Sequence, residues 1–360
     1  MKAGLITFHR ADNYGAVLQA SALLKYINKN ICSCELIDYL PNNTGIPSNS
    51  GVMKVLRYCK RSCMYFTEHK KSVKKIRFER FRKKNYILSQ NTYYGDDMIE
   101  KNPPEYDVLI SGSDQILNLT LSGDSVSYYL AFAQNTKKVS YASSFGRQDI
   151  SEEENQAIKE YLVDFAALSV RERSAIDLLK EHIDKDVKNV VDPVFLMDKE
   201  EWAGITDKKC MTEQKYIFVY AMENTEVVRN LVREVSEKYR LPVIKLSGGC
   251  NMDGIIGTED KMCGPERFLA YIKNAEIVIT NSFHGISFSH IFEKKFYAIA
   301  HTKRNTRIED LMSISGNRNK IITDVEKDNV SKFIDGAEAF QKLQENIEKS
   351  KRYLKENIAL

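Results

Sequence analysis

Proline, glycine and paired cysteines are scarce in this sequence, and their scarcity excludes several classes of protein. Only 7 of the 360 residues are proline and 17 are glycine, whereas 43% are hydrophobic and 28% are charged. This composition excludes collagen-like, low-complexity and largely disordered chains. The seven cysteines form an odd set without a Cys-x-x-Cys pair, in a chain long enough to fold without disulfides. We therefore expect a globular protein with reduced, cytosolic thiols.

Long apolar runs are missing as well. The first ten residues hold only a few apolar side chains before a charged turn. These are too few for the core of a signal peptide or for a membrane span. The sequence therefore predicts a cytoplasmic protein.

Several motifs that mark well-known chemistries are absent. The sequence has no G-x-G-x-x-G or P-loop pattern, no H-E-x-x-H, no G-x-S-x-G and no paired Cys/His spacing. Nucleotide-phosphate binding through those loops is therefore disfavoured, and we expect neither a metal ion nor a cofactor.

Positive charge is concentrated in one segment. The formal net charge is only +4, but residues 54–84 contain thirteen Lys and Arg against two acidic residues, so this segment carries +11 and the rest of the chain −7. One interpretation is a solvated helix face with apolar residues such as Phe78 and Phe81 packed beneath it. The other is a docking surface for an anionic partner.

Apolar runs alternate with helix-period segments in two separate stretches of the chain. Strands are predicted at 3–8, 34–39, 106–110, 139–143, 167–170 and 187–191, and again at 216–220, 242–246, 276–280 and 296–300. Because strands and helices alternate twice, we predict an α/β protein of two Rossmann-like domains facing a cleft.

The predicted domain boundaries follow from the polar stretch between the two sets. Residues 204–215 are short of apolar side chains, as expected of a linker. The first domain is then 1–203, with a basic helical insert at about 52–86, and the second is 216–325. A last helical stretch within 326–360 can cross back to the first domain.

Polar residues follow four of the predicted strands. They occupy 9–15, 111–114, 169–172 and 280–285. Open parallel sheets bind ligands beyond the carboxyl ends of their strands, where helix N-termini present N–H groups. We therefore expect the functional site at these segments.

The segment 280–285 is the most informative of the four. An apolar strand ends there, small and polar residues follow, and an apolar helix begins, so His284 should lie beside backbone donors that can bind an anion. Alternatively, Asn281 or Ser282 is a helix cap and the histidine is structural. His290, inside the helix, is interpreted as a core residue.

Six blocks of sequence, in this order, closely resemble the polysaccharide pyruvyl transferase family. They are GLITFHRADNYGAVLQ at 4–19, SGSDQ at 111–115, YASSFG at 141–146, LSVRE at 168–172, DPVF at 192–195 and ITNSFHG at 279–285. The resemblance covers nearly the whole chain apart from the basic insert and the ends. It implies a fold similar to that of the GT-B glycosyltransferases.

The resemblance also implies an activity. Such enzymes transfer a carboxyethylidene group from phosphoenolpyruvate to two hydroxyls of a sugar, form a pyruvate ketal and release phosphate. By this resemblance His284 holds phosphate and supplies a proton, Asp114 accepts a hydroxyl proton, and Arg171 grips a carboxylate or phosphate. An ion pair with Glu172 or another acid is the structural alternative for Arg171.

Further substrate-binding residues are expected around these three. They are Asn13, Tyr14, Gly112, Ser113, Asn281, Ser282, Gly285, Arg304 and Arg307. The first domain is the expected acceptor side and the second the expected phosphoenolpyruvate side. The expected acceptor is a saccharide or a lipid-linked oligosaccharide of exopolysaccharide biosynthesis.

Two other functions fit parts of the sequence. A GT-B glycosyltransferase that uses a nucleotide sugar would occupy the same two-domain cleft, although no glutamate is evident for binding ribose. The basic segment, with Tyr58, Tyr65 and Phe66 interleaved, has features of a nucleic-acid-binding surface, but that function would leave the polar strand ends unexplained, and we expect no nucleic-acid partner. We expect residues 54–84 to make peripheral contact with an anionic membrane at its inner face.

Overall fold

The computed structural model describes residues 1–41, 69–208, 214–302, 306–325 and 329–359. The chain divides into two compact units. The first comprises Met1–Asp12, Ala16–Leu196 and Asn346–Leu360, and the second comprises Asn13–Gly15 and Met197–Glu345. The boundary after Leu196 precedes the predicted linker at 204–215, of which residues 209–213 lie outside the described residues.

The first unit is built on a parallel sheet. Its strands are β1 Lys2–Ile6, β2 Ser33–Leu40, β3 Leu88–Tyr94, β4 Val108–Ser111 and β5 Lys137–Ser140. They lie in the order β3-β2-β1-β4-β5. A parallel pair, β6 Leu168–Val170 and β7 Val187–Asn189, continues the sheet through a bridge from Ala167 to Val139. This is the Rossmann strand order.

Helices connect these strands. They are α1 Tyr14–Asn30, α2 His69–Asn85, α3 Asp96–Lys101, α4 Leu119–Ser122, α5 Glu152–Tyr161 and α6 Arg173–Lys180. Strand β4 is buried at every position and β1 at all but its first. Strands covered on both faces have continuous apolar sequences, which is why both were predicted.

Strand β3 was not predicted, and its position explains why. It is the edge strand of its sheet, and its sequence LSQNTYY is buried only at Tyr93. An edge strand needs neither a continuous apolar run nor strict alternation.

Helix α2 is the described part of the basic segment. Phe78 and Phe81 are fully buried beneath it, whereas Lys75 and Arg80 are exposed. Helix α2 therefore has apolar residues on its buried face and basic residues on its solvated face, which is the first of the two interpretations of the sequence. Residues 54–68 lie outside the described residues, and the membrane contact stays a prediction.

The second unit contains a sheet of six strands. They are β8 Ile217–Ala221, β9 Val243–Ser247, β10 Thr258–Glu259, β11 Ile277–Thr280, β12 Lys295–Ala298 and β13 Ile334–Asp335. Their order is β10-β9-β8-β11-β12-β13, and β13 pairs antiparallel to β12 while the other pairs are parallel. Without β13 this is again a Rossmann order.

The remaining helices are α7 Lys199–Ile205, α8 Glu226–Tyr239, α9 Pro265–Asn274, α10 Phe283–Ile291, α11 Thr306–Ile314 and α12 Gly336–Ile358. Trp202 of α7 is fully buried and packs edge-on against Phe288, with 5.0 Å between ring centres. This contact explains why α7 belongs to the second unit.

Helix α12 begins in the second unit, and its residues from Asn346 onward belong to the first. There the hydroxyl of Tyr353 donates to the carbonyl of Ser140 at 2.9 Å. Ser350 Oγ accepts from the backbone N–H of Val191 at 3.0 Å. No helix among the described residues is both long and apolar enough to cross a membrane.

Candidate active site

The polar residues that follow the strands lie at the carboxyl edges of the two sheets. In the first unit β4 ends at Ser111 and β6 ends at Val170, so 112–114 and 171–172 begin at this edge. In the second unit β11 ends at Thr280, shortly before α10 begins. Ligands of open parallel sheets bind at this edge.

Arg171 lies in a buried network of carboxylates. It is 5% exposed; its Nη1 donates to Asp192 Oδ2 at 2.6 Å, and its Nη2 lies 3.7 Å from Asp114 Oδ1. Burial favours the neutral guanidine, but Asp192 and Asp114 outweigh it and raise the pKa of Arg171 above its usual value. The guanidinium is therefore charged and held in one orientation. The ion pair considered from the sequence is present, with Asp192 and Asp114 as partners, and donor binding by Arg171 stays a prediction.

Asp114 has an unusual backbone conformation. Its φ is 84°, and its Oδ1 accepts from the backbone N–H of Gln115 at 2.9 Å. A residue other than glycine adopts this region only at an energetic cost, and such residues cluster at functional sites. The Asp114 side chain is 15% exposed, whereas that of Arg171 is 2% exposed. The carboxylate of Asp114 can therefore reach solvent while Arg171 holds it.

Gly112 and Ser113 connect the ends of β4 and β1. The N–H of Gly112 donates to the carbonyl of Ile6 at 2.9 Å, and a Cβ at this glycine would lie 2.8 Å from Leu5 Cδ1. The carbonyl of Ser113 accepts from Thr7 Oγ1 at 2.6 Å. Both residues therefore have structural roles, and their binding of substrate stays a prediction.

Glu172 organises a loop, a role that the sequence analysis missed. It is fully buried, and its Oε1 accepts from Ser144 Oγ at 2.8 Å and from the backbone N–H groups of Phe145 and Gly146 at 3.0 Å each. Gly146 has a φ of 69°, and a Cβ there would lie 1.5 Å from Gln115 Nε2. Glu172 thus fixes a loop that packs tightly against Gln115.

Asn281 ties two strand ends together in the second unit. Its Oδ1 accepts from the N–H of Met222 at 2.7 Å, and its Nδ2 donates to the carbonyl of Glu223 at 2.9 Å. Met222 and Glu223 follow β8, whereas Asn281 follows β11. The amide therefore serves the protein's own backbone, and substrate binding by Asn281 stays a prediction.

Ser282 caps helix α10, as the alternative interpretation of the sequence had it. Its Oγ accepts from the N–H of Gly285 at 3.4 Å. A Cβ at Gly285 would lie 2.3 Å from Thr280 Oγ1, so a larger residue does not fit. Together these residues place His284 in the first turn of the helix.

His284 is 8% exposed and is closely approached by Gly15. A Cβ at Gly15 would lie 2.1 Å from His284 Nδ1. The histidine ring therefore occupies the space that a side chain at position 15 would need. The ring also lies edge-on to Phe283, with 5.1 Å between centres.

Tyr14 anchors the segment that carries Gly15. Its hydroxyl donates to the carbonyl of Cys263 at 3.0 Å, and its ring stacks on Phe268 with 4.8 Å between centres. Burial raises the pKa of Tyr14 well above its usual value, so the hydroxyl stays protonated and continues to donate. The neighbouring Asn13 is exposed.

Arg307 lies close to the first turn of α10. Its guanidinium carbon is 5.8 Å from the centre of the Phe283 ring, at a distance typical of a cation–π contact. Arg304 lies outside the described residues.

Glu223 and His301 form a pair that the sequence analysis missed. His301 Nδ1 lies 3.3 Å from Glu223 Oε1, and the Glu223 carboxylate also accepts from the N–H and Oγ1 of Thr302 at 2.8 and 2.6 Å. His301 follows β12 much as His284 follows β11. The strand-end pattern that selected His284 could therefore have selected His301 as well.

His290 is a core residue, as predicted. It is fully buried, and burial lowers its pKa to about 4. Among the described residues, no group of three or more His, Cys, Asp or Glu side chains is arranged to hold a metal ion.

Asp38, at the end of β2, is a buried carboxylate with several donors. It accepts from Arg10 Nε at 2.7 Å, from Arg10 Nη2 and from Thr92 Oγ1 at 2.7 Å, and it lies 3.1 Å from His9 Nε2. Burial alone would raise the pKa of Asp38, but the hydrogen bonds from His9, Arg10 and Thr92 outweigh it and hold the pKa well below its usual value.

The sequence matches the polysaccharide pyruvyl transferase family over residues 13–303. The chain belongs to this family. No curated protein is significantly similar to this family member in sequence.

Solved structures of other proteins have a fold similar to that of this pyruvyl transferase family member. HepE of Anabaena, in complex with UDP and glucose, has a TM-score of 0.52 at 8% identity, and the match covers 99% of each chain. A putative UDP-N-acetylglucosamine 2-epimerase of Listeria monocytogenes has a TM-score of 0.50 at 9% identity, covering 99% of this chain and 91% of that one. At these identities the likeness shows the fold alone. The predicted α/β fold of GT-B type, with two Rossmann-like domains, is confirmed.

We expect Asp38→Asn to flatten the acid side of the stability profile. Because the native pKa of Asp38 is lower than that of the unfolded chain, the carboxylate's stabilisation is complete above about pH 4 and is lost as the pH falls towards the native pKa. Urea titrations between about pH 7 and pH 3 should therefore show a steeper loss of unfolding free energy in the wild type than in the variant. The control is Asp12→Asn, which removes a more exposed carboxylate paired with Arg82. Equal slopes for Asp38→Asn and the wild type would contradict the assignment.

We expect Gly15→Ala to displace the His284 ring and to destabilise the protein. Overpacking of this kind costs about 1–3 kcal/mol of unfolding free energy, although Gly→Ala in a helix normally stabilises. The matched control is Gly204→Ala in α7, where an added Cβ meets nothing within 4 Å. Urea unfolding and the NMR signals of the His284 ring measure both effects. A Gly15→Ala protein as stable as the wild type, with the ring signals unmoved, would show that the close approach does not constrain His284.

Proposed function

We propose that this protein transfers a carboxyethylidene group from phosphoenolpyruvate to two hydroxyls of one sugar in a surface-polysaccharide precursor. The products are a pyruvate ketal and inorganic phosphate. The observation that carries the proposal is membership of the polysaccharide pyruvyl transferase family over residues 13–303. Membership indicates a transferase, and the donor, the acceptor and the ketal are the proposal.

The chemistry requires proton transfer and charge stabilisation. The methylene carbon of the donor takes a proton and becomes a methyl group, and a first hydroxyl bonds to C2. The bond between C2 and the phosphate oxygen then breaks, and the second hydroxyl bonds to C2 to close the ring. Of the two hydroxyl protons, one balances the proton gained by carbon and the other leaves with phosphate. An acid, a base and fixed cations are the groups that such steps use.

His284 is the proposed acid and a ligand for phosphate. Its place in the first turn of α10 supports this role, because backbone N–H groups and the helix dipole favour an anion there. An imidazole N–H can also donate a hydrogen bond to a bound phosphate. The close approach of Gly15 leaves the ring little freedom to turn away.

Asp114 is the proposed base for the first hydroxyl. Three observations support it: the strained φ of 84°, the exposure of the side chain, and the proximity of Arg171. The arginine holds the carboxylate in position, and a carboxylate oxygen is a group that can accept a hydroxyl proton.

Arg171 is the proposed cation for the carboxylate or phosphate of the donor. Asp192 fixes its guanidinium at 2.6 Å and is itself held, because its Oδ1 accepts from the N–H of Val194 at 3.0 Å. A guanidinium held in this way needs little rearrangement when charge develops nearby. The other proposed substrate-binding residues remain Asn13, Tyr14, Gly112, Ser113, Asn281, Ser282, Gly285, Arg304 and Arg307.

We expect His284→Ala to lower turnover about 100-fold or more, the usual scale for a lost general acid. The measurement is phosphate release from phosphoenolpyruvate with free and lipid-linked galactose, glucose and N-acetylmannosamine acceptors. His284 lies in the first turn of α10, and the variant should still fold, which its thermal unfolding checks. The control is His182→Ala, because His182 is neither a proposed catalytic residue nor a proposed substrate-binding residue. Unchanged turnover, or a variant that fails to fold, would support a structural role for His284 instead.

A further inference from the structure

The first unit contains a cavity at the carboxyl ends of β1 and β2. Its volume is about 380 Å³, within the range of roughly 300–1,000 Å³ that small-molecule sites occupy. It is lined by residues that follow β1, by the end of β2, and by Leu121 and Tyr128. Neither Asp114 nor Arg171 is among its lining residues, so the cavity is distinct from the groups assigned to the chemistry in this unit.

The walls of the cavity are rigid and largely apolar. The ring of Tyr128 packs edge-on against Phe8 at 4.9 Å and against Tyr39 at 5.4 Å between centres. The Tyr39 hydroxyl is hydrogen-bonded to Asp96 at 2.5 Å, which fixes its ring. Leu121 lines the same cavity and is 44% exposed, so an apolar side chain lies at the mouth.

Arg10 supplies fixed hydrogen-bond donors to this cavity. Its Nε and Nη2 both donate to Asp38. The Arg10 side chain is 43% exposed, whereas that of Asp38 is 4% exposed. The carboxylate therefore lies behind the guanidinium, and the donors that Asp38 does not take are directed away from it. A guanidinium has five N–H donors in all.

The charges favour a neutral ligand over an anion. Asp38 accepts two hydrogen bonds from Arg10 and offsets its charge, so the pair carries little net charge beside the cavity. Flat apolar walls beside oriented donors of little net charge suit a sugar ring, which has apolar C–H faces and hydroxyls that both donate and accept. A purely apolar ligand would leave the donors of Arg10 unmatched, at a cost in binding free energy.

We propose that this cavity binds a sugar ring of the acceptor, with Arg10 holding hydroxyls and Phe8, Leu121 and Tyr128 packing against the ring. The proposal rests on the proposed function, which requires a saccharide acceptor. It adds the place of binding and the residues that select the sugar. Arg10 and Leu121 are then specificity-determining residues that take no part in proton transfer.

The test measures saccharide binding directly and without phosphoenolpyruvate. The methyl glycosides of galactose, glucose and N-acetylmannosamine are titrated into the wild type, Arg10→Gln and Leu121→Trp, with saturation-transfer NMR and calorimetry as readouts. Arg10→Gln shortens the donor group, and Leu121→Trp fills the mouth of the cavity. The matched controls are Arg80→Gln in α2 and Leu88→Trp in β3, which change exposed residues outside the cavity.

We expect both cavity variants to weaken binding of the preferred glycoside by about tenfold or more, the effect of removing one good contact. Binding of phosphoenolpyruvate should match the wild type, and the controls should bind the glycoside normally. Arg10→Gln should lower the melting temperature because the buried Asp38 loses two donors, whereas Leu121→Trp should leave it unchanged. Unchanged glycoside binding in both cavity variants, or no glycoside binding by the wild type, would overturn the proposal. Failure of the wild type to bind phosphoenolpyruvate would instead contradict the proposed function, and the glycoside titrations would still decide the cavity.

Discussion

Burial of the central strands on both faces is the constraint on which the arrangement of this protein depends. Strands β4 and β11 are buried at every position, so a polar side chain along them needs a partner within the protein. Ser111 and Thr280, at the ends of these strands, have such partners in the carbonyls of Tyr128 and Tyr220. Polar chemistry can therefore begin only where a strand ends. In each unit the carboxyl ends of adjacent parallel strands lie along one edge of the sheet, and this edge gathers residues that are distant in sequence. The two sets of candidate residues follow from this one rule, applied separately to each Rossmann-like sheet.

Several of the polar residues in the family blocks form hydrogen bonds with other groups of the protein and so stabilise its fold. Asn281 satisfies the backbone of a neighbouring strand end, Glu172 collects three donors of one loop, and Asp192 fixes Arg171. Buried polar groups of this kind are costly when unpaired and rigid when satisfied. Their rigidity holds Asp114 and His284 in place. A motif residue can thus be essential without touching substrate, and the proposed chemistry needs only a few of the residues in each block.

The sequence predicted the elements whose signal is local and missed the features that depend on tertiary contacts. Apolar runs identified the buried strands, and the small polar turn before α10 located a helix start at 280–285, where His284 remains a predicted site residue. Strand β3 escaped because an edge strand needs no apolar run. Gly15 and His284 are far apart in the chain but close together in the structure. No local sequence pattern indicates that position 15 must be glycine to leave room for the ring of His284. The Arg10 cavity was missed for the same reason, since its walls come from three separate segments.

The proposed ketal transfer is tested most directly by following the C2 carbon of the donor. Phosphoenolpyruvate labelled with carbon-13 at C2 is incubated with the protein, the acceptor panel and a UDP-sugar, and the products are observed by NMR together with a phosphate assay. We predict that the label moves to a quaternary ketal carbon bonded to two sugar oxygens, a methyl group and a carboxylate, with one phosphate released for each ketal formed. Label that remains in phosphoenolpyruvate or appears only as free pyruvate, while a UDP-sugar is consumed and a glycoside is formed, would contradict the assignment and identify a nucleotide-sugar glycosyltransferase instead.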